Sequence, residues 1–133
     1  MRNRPALTSE DAHKMMAACK AEAQKNKWNV SIAIVDDGGH LLLLERMDGC
    51  LPLSATVAHG KARTAGITRR PTKFWEERVK ERPVFLEFPV DVKIQGGLPI
   101  MVQNECVGAI GVSGVQSHED EQIAAAGIKA LGV

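Results

Sequence analysis

Several polar and charged residues lie where the surrounding pattern is apolar, and these are the first candidates for chemistry. Lys61 falls on the apolar face of a predicted helix, where a lysine needs an anionic partner, either a carboxylate such as Asp36 or a bound acid. Arg46, at the end of a predicted strand, raises the same question. If both cations point into one cavity, that cavity would hold a carboxylic acid.

A glycine pair and an acidic residue are the next candidates. Gly96 and Gly97 lie between two predicted strands and lack the side chains that would shield backbone N–H groups from a flat or anionic ligand. Pro99 would stiffen the rim of such a site. The alternative is that the glycines form only a β-bulge or a tight turn. Asp120 lies in the first turn of the last predicted helix, where it either caps the helix or contacts a ligand.

The chain has 4 histidines, which could act as an acid or base or bind a metal. No two have the spacing of a chelating pair, which disfavours a zinc site. His13 lies one residue off the apolar stripe of the first predicted helix, and His40 follows the glycines of a predicted turn. Their structural alternatives are a boundary position for His13 and turn geometry for His40. No catalytic triad order, P-loop or dinucleotide fingerprint is present, which disfavours an autonomous nucleotide-dependent enzyme.

The apolar periodicity predicts the elements that position these residues. In chain order they are a helix over 8–25, strands over 29–35 and 40–44, a helix capped by Ser54, a short helix over 72–80, strands over 92–95, 98–102 and 106–113, and a helix capped by Ser117. Tight turns between the strands predict a five-stranded, mainly antiparallel sheet flanked by helices, an α/β (α+β) fold in one domain over residues 1–133. The run Leu41 to Leu44 predicts that both faces of the second strand are covered, one by helices and the other by helices or another subunit.

Composition limits the possible partners and compartments. The 133 residues are 44% hydrophobic, which is enough for one buried core. Because the 17 basic residues are nearly balanced by 16 acidic ones, neither nucleic acid nor an anionic membrane is an expected partner. No apolar run is long enough for a membrane span, and the first residues lack a secretory signal, so a cytoplasmic protein is expected. The 3 cysteines have no C-x-x-C spacing and are expected to be reduced thiols, mostly in packing roles.

Four ordered motifs resemble the GlcG/HbpS-like family, also called haem-degrading domains, which includes the C-terminal domain of PduO-type corrinoid adenosyltransferases. The motifs are AIVDDGGHL with ERMDG at 33–41 and 45–49, KARTA at 61–65, GGLPI at 96–100, and VGAIGVSG at 107–114 leading to EDE at 119–121. Together they extend over nearly the whole chain. Four motifs in the expected order are far more specific for the fold than one glycine pair.

The resemblance implies a five-stranded antiparallel sheet flanked by helices, and assembly into dimers or larger rings. Some relatives place a haem-ligating histidine in the first helix, so the resemblance makes His13 the candidate iron ligand. Members have been linked to haem binding, haem sensing, corrinoid metabolism and glycolate-utilisation gene neighbourhoods, so fold and function separate in this family. The aromatic, charged stretch from Phe74 to Phe88 and the lack of an export signal depart from the haem-sensing members.

Three functions fit these patterns. The first is a haem- or tetrapyrrole-binding protein that assists haem breakdown, with a pocket lined by Gly96, Gly97, Arg46, Lys61 and Asp120. The second is an enzyme acting on a small organic acid, with Lys61 or a histidine as acid or base. The third is a non-catalytic assembly module whose apolar second strand and aromatic stretch bury subunit surface.

Overall fold

The computed structural model describes residues 1–133 and has four α-helices and four strands. The elements are α1 (Ser9–Lys25), β1 (Ser31–Asp36), β2 (Leu41–Arg46), α2 (Leu53–Thr68), α3 (Thr72–Glu81), a 3₁₀ turn (Pro83–Glu87), β3 (Gly97–Val102), β4 (Glu105–Ser113) and α4 (Ser117–Ala130). The predicted α+β class is confirmed, and the predicted number of strands is wrong by one.

The sheet has the strand order β2-β1-β4-β3, and all three neighbouring pairs are antiparallel. Successive side chains of a strand point to opposite faces, so Ile32 and Ile34 join the core under α1 and α4, while Ala33 and Val35 pack against α2. The face of α2 toward the sheet consists of alanines, which lets the helix lie close to β4. At Gly111 of β4 an added Cβ would overlap backbone atoms of α2.

The helix caps follow the expected pattern at one end of the chain and differ at the other. Thr8 caps α1: its hydroxyl accepts a hydrogen bond from the Asp11 N–H at 3.1 Å, and the Asp11 carboxylate accepts one from the Thr8 N–H at 2.9 Å. The residue before α4 is Gln116, not Ser117. Ser54 lies inside the first turn of α2 rather than at its cap.

The predicted strand over 92–95 is absent. The chain there bends across α2 instead of pairing with β3, since Val92 packs over Gly60, a position at which a Cβ would come within 2.6 Å of the valine side chain. The Gln95 N–H donates to a carboxylate oxygen of Glu76 in α3 at 3.2 Å, which replaces a bond within the sheet. Short apolar runs of this kind do not distinguish a strand from a packed loop.

Strand β2 lies at the edge of the sheet and is less covered than predicted. Its residues Leu41, Leu42 and Leu44 are 45%, 38% and 38% exposed, while Leu43 packs against the core. The chain itself therefore does not cover both faces, and cover by another subunit stays a prediction. We call the three exposed residues the leucine strip.

The stretch rich in aromatic residues forms α3 and the 3₁₀ turn, in agreement with a short helix followed by irregular chain. Trp75 is only 7% exposed and contacts the rings of Phe74, Phe85 and Phe88, with centroids 5.2, 6.1 and 5.0 Å away. These contacts hold the 3₁₀ turn against α3.

Candidate functional site

Lys61 and Asp120 form a buried ion pair. Each residue is 2% exposed, and the Lys61 Nζ lies 3.0 Å from the Asp120 Oδ2. The ammonium also donates to the Val112 carbonyl at 2.9 Å, and the other carboxylate oxygen accepts from the Val115 N–H at 3.1 Å. The pair therefore joins α2, the end of β4 and the start of α4.

Burial raises the pKa of the Asp120 carboxyl, because removing the carboxylate from water costs more than the ammonium of Lys61 and the Val115 N–H return. The partner of Lys61 is thus a carboxylate of the protein itself, as the sequence analysis allows. It is Asp120, however, and not Asp36.

The two glycines lie against this pair. A Cβ on Gly96, which has φ of +134°, would come within 2.7 Å of the Lys61 Nζ. A Cβ on Gly97 would come within 2.5 Å of the Lys61 carbonyl oxygen, and the Gly97 N–H donates to the Thr72 hydroxyl at 2.8 Å. The missing side chains leave room for α2 rather than for an open pocket.

The predicted single pocket with all five lining residues is not formed. Arg46 is exposed at the end of β2, where it borders a polar hollow of about 350 Å³ whose other lining residues are Lys20, Gln24, Asn29, Glu45, Met47 and Asp48. Lys61 is in the interior, so the two cations do not share a cavity. Pro99 is a half-buried residue of β3 paired with Ala109, not part of a loop rim.

Asp36 and His40, also predicted as ligand-binding residues, meet at the β1–β2 turn. One carboxylate oxygen of Asp36 accepts the N–H groups of Gly38 and His40, both at 2.9 Å, and lies 3.3 Å from the His40 Nδ1. Partial burial raises the pKa of Asp36, but the two backbone N–H groups and the imidazole outweigh that effect, so the pKa is lowered. The carboxylate orients the ring, and the His40 side chain is 80% exposed.

His13 is exposed on α1, and its Nδ1 lies 2.8 Å from the Ser9 carbonyl oxygen. Because a carbonyl only accepts hydrogen bonds, Nδ1 carries the proton and donates it. The Nε2 of the neutral ring is then free to bind a metal ion. His40 has the same arrangement, with the Asp36 carboxylate in place of the carbonyl.

Sequence reasoning missed a cluster of hydroxyl and thiol groups, which we call the hydroxyl cluster: Ser31, Cys50 and Ser54. The Ser54 hydroxyl lies 2.8 Å from the Ser31 hydroxyl and 3.2 Å from the Cys50 thiol, and it donates to the Leu51 carbonyl at 2.6 Å. A small hollow of about 120 Å³ lies beside it, lined in part by Ser113. The available signal was Ser31, a hydroxyl residue at the start of an apolar strand.

All three cysteines are free thiols in this structure. Cys19 and Cys106 are buried, and burial raises the pKa of Cys19 to about 12, so this thiol stays protonated and unreactive. Cys50 is the partly exposed one. No three His, Cys, Asp or Glu side chains converge on a point that could hold a metal ion. None of the helices has the length and apolar character needed to cross a bilayer.

The architecture is that of a small α+β domain in which an antiparallel sheet lies between α1 and α4 on one face and α2 on the other. Residues 7–129 match the family model described as haem degrading protein HbpS-like. The chain belongs to this HbpS-like family.

Individual relatives agree with that assignment. Over 114 residues, 85% of each chain, the protein is 46% identical to protein GlcG of Escherichia coli strain K12. A crystal structure of a double mutant of Streptomyces reticuli HbpS superposes with a TM-score of 0.92 at 35% identity, covering 100% of this chain and 92% of that one. A structure of a PduOC–haem complex gives a TM-score of 0.86 at 28% identity, covering 95% of each chain.

Proposed function

We propose that this protein binds haem or a related tetrapyrrole along strand β2. The observation that carries the proposal is the leucine strip, an exposed apolar surface with the oriented imidazole of His40 at one end and the guanidinium of Arg46 at the other. An apolar face, an imidazole and a cation are the three groups that a flat iron porphyrin with carboxylate side chains requires. Family membership and the PduOC–haem complex support the same ligand.

The donor set fits haem. The Nε2 of His40, or that of His13 on α1, would bind the iron, since in each ring Nδ1 is held by an acceptor of the protein. Arg46 would pair with a propionate, and the leucines would pack against the porphyrin face. The haem supplies the iron chemistry, including any reaction that opens the ring, and the protein supplies binding and orientation.

Replacing a ligating histidine by alanine is expected to weaken hemin binding about tenfold or more and to shift the Soret band, because an axial bond to iron is lost. Titration of hemin followed by absorbance measures both quantities for His40→Ala and His13→Ala. His118→Ala, an exposed histidine at the start of α4, is the matched control. If hemin binds saturably and neither variant changes that binding, His40 and His13 are not axial ligands. If the native protein does not bind hemin, the proposal is wrong.

We also propose that the protein is a homo-oligomer, because a second copy would cover the leucine strip. Haem and the second copy of the chain would then both contact strand β2. Light scattering of the native protein with and without hemin measures the mass in both states. If the protein unfolds on dilution and no ligand stabilises it, the assembly module is the better description.

A second candidate function is supported by the hydroxyl cluster. Ser31 is the register partner of Ser113 in β4, on the sheet face toward α2. The hydroxyl residues Ser54 and Ser113 line a hollow of about 120 Å³, which has room for only a few heavy atoms. Such a site suits a two- or three-carbon carboxylic acid.

Acetate, lactate and oxalate are therefore expected to raise the melting temperature of the native protein by a few degrees at concentrations well above their dissociation constants. Ser113→Ala is expected to reduce that rise, because the carboxylate loses a hydrogen-bond donor that lines the hollow. Ser9→Ala, the same change at an exposed residue of α1, is the control. Equal rises in the native protein and in Ser113→Ala would exclude the acid site and leave the haem proposal untouched.

A further inference from the structure

Five side chains around α3 alternate between guanidinium groups and aromatic rings, and we call them the arginine ladder: Arg70, Phe74, Arg78, Phe85 and Arg82. The Phe74 ring centroid lies 4.2 Å from the Arg70 Cζ and 5.0 Å from the Arg78 Cζ. The Phe85 centroid lies 5.6 Å from the Arg78 Cζ and 5.2 Å from the Arg82 Cζ. All four distances are in the range of cation–π contacts.

The three guanidinium groups of the ladder have no anionic partner in the chain. Carboxylates pair with Arg2, Arg4 and Arg63, whereas Arg70, Arg78 and Arg82 form neither an ion pair nor a side-chain hydrogen bond. A guanidinium stacked on an aromatic ring contacts the ring through its own flat face, and its N–H groups lie in the guanidinium plane and point away from its edge. Each of the three therefore keeps its donors for an acceptor from outside the protein.

The rings beneath the arginines are fixed in place. Phe74 and Phe85 both contact the buried Trp75, and Phe85 also contacts Phe88 with centroids 5.0 Å apart. The stacked guanidinium groups have lost part of their rotational freedom before any ligand arrives, so less entropy remains to be lost on binding. This distinguishes them from ordinary surface arginines.

The shared rings also limit the spacing of the charges. The Arg70 and Arg78 carbons cannot be further apart than the sum of 4.2 Å and 5.0 Å, because both lie against Phe74. A ligand with several anionic groups can therefore pair with two or three guanidinium groups at once, and each added pair contributes further charge-assisted hydrogen bonds. Arg70, Lys73 and Phe74 also border an open hollow of about 470 Å³, whose lining includes Glu77 and Glu121 as well.

We propose that the arginine ladder is a binding site for a small multivalent anion, an oligophosphate or a polycarboxylate. Glu77 lines the same hollow and its charge opposes any anion there, so binding requires a ligand that pairs with two or three guanidinium groups at once. The site is independent of strand β2, so hemin binding and anion binding test separate proposals.

Isothermal titration calorimetry at physiological ionic strength measures the affinity of the site for four probes: tripolyphosphate, pyrophosphate, citrate and monophosphate. Affinity is expected to rise with the number of anionic groups, and comparison of tripolyphosphate with citrate distinguishes phosphate from carboxylate ligands. The triple variant Arg70→Gln, Arg78→Gln, Arg82→Gln is expected to lose at least about tenfold in affinity for tripolyphosphate, since charge-assisted hydrogen bonds are removed. Lysine at the same positions is expected to restore only part of the affinity, because an ammonium neither stacks nor binds in bidentate fashion.

The matched control removes three exposed, unpaired lysines elsewhere, in the variant Lys14→Gln, Lys25→Gln, Lys129→Gln. It changes the net charge equally and is expected to retain the native affinity within about twofold. Arg70→Gln alone, before α3 begins, serves if the triple variant does not fold, and circular dichroism decides that point. The proposal is overturned by equal losses in ladder and control variants, by monophosphate binding as tightly as tripolyphosphate, or by no binding at all.

Discussion

Gly111→Ala is expected to lower the free energy of unfolding by about 3 kcal/mol or more, at the upper end of overpacking effects. The added methyl group would overlap the Ala58 carbonyl oxygen and the backbone nitrogen of Ala62 in α2. Backbone atoms cannot rotate away as a flexible side chain would, so α2 must move off the sheet. Urea denaturation followed by circular dichroism measures the change.

Gly66→Ala is the matched control for this substitution. Gly66 lies on α2, across the same helix–sheet contact, but its added Cβ would meet the Val35 side chain at 3.3 Å, a tight yet adjustable contact. The gain in helix propensity, about 1 kcal/mol, is expected to offset that contact. If both variants lose equal stability, the close approach of α2 to β4 is not what makes Gly111 necessary.

Asp120→Ala is expected to lower the free energy of unfolding by about 3–5 kcal/mol, because it leaves the buried Lys61 ammonium and the Val115 N–H without their hydrogen-bond acceptor. Replacing both partners, in Lys61→Met with Asp120→Leu, is expected to recover most of the loss, since no charge is then buried. Glu121→Ala, which removes a neighbouring carboxylate at the helix surface, is expected to cost less than about 1 kcal/mol. A double-mutant cycle with no coupling between positions 61 and 120 would contradict the pair.

The same pair has a distinct pH signature. The folded pKa of Asp120 is raised above its ordinary value of 3.8, so the folded state holds this proton more tightly than the unfolded state does. The stability contributed by the carboxyl is therefore complete below that value and is lost as the pH rises through the folded pKa. The stability of the native protein relative to Asp120→Asn is expected to fall as the pH rises above 3.8. A rise would show that attraction to Lys61 outweighs burial.

The sequence predicts the regular elements well where apolar periodicity and turn residues agree. Thr8 with Asp11 and the glycines after Asp36 are local signals, and the helix and hairpin they indicate are formed. The strand over 92–95 fails because its apolar residues face a helix rather than a sheet neighbour, which short patterns do not reveal. The exposure of the leucine strip likewise depends on which strand becomes the edge.

The candidate site was harder to predict, because it depends on contacts between distant parts of the chain. The helical spacing correctly places Lys61 in the interior, but its partner Asp120 is 59 residues away, and the sequence analysis names Asp36 instead. Gly96 and Gly97 were correctly associated with Lys61 in space, although they adjoin its backbone and amine rather than an open pocket. Whether Arg46 shares a cavity with Lys61 depends on where the sheet places each side chain, and the spacing of residues in the sequence does not give that position.

The strand order β2-β1-β4-β3 has a consequence for synthesis on the ribosome. The central strand β1 is completed early, yet its second neighbour ends at Ser113, which is added about ten seconds later at ordinary elongation rates. Until then Ile32 and Ile34 have no sheet neighbour on that side, and an isolated hairpin is at best marginally stable. The nascent chain therefore emerges with exposed apolar residues and an unpaired strand edge, which chaperones near the exit tunnel would recognise. Translation that pauses before codon 105 would prolong this vulnerable period.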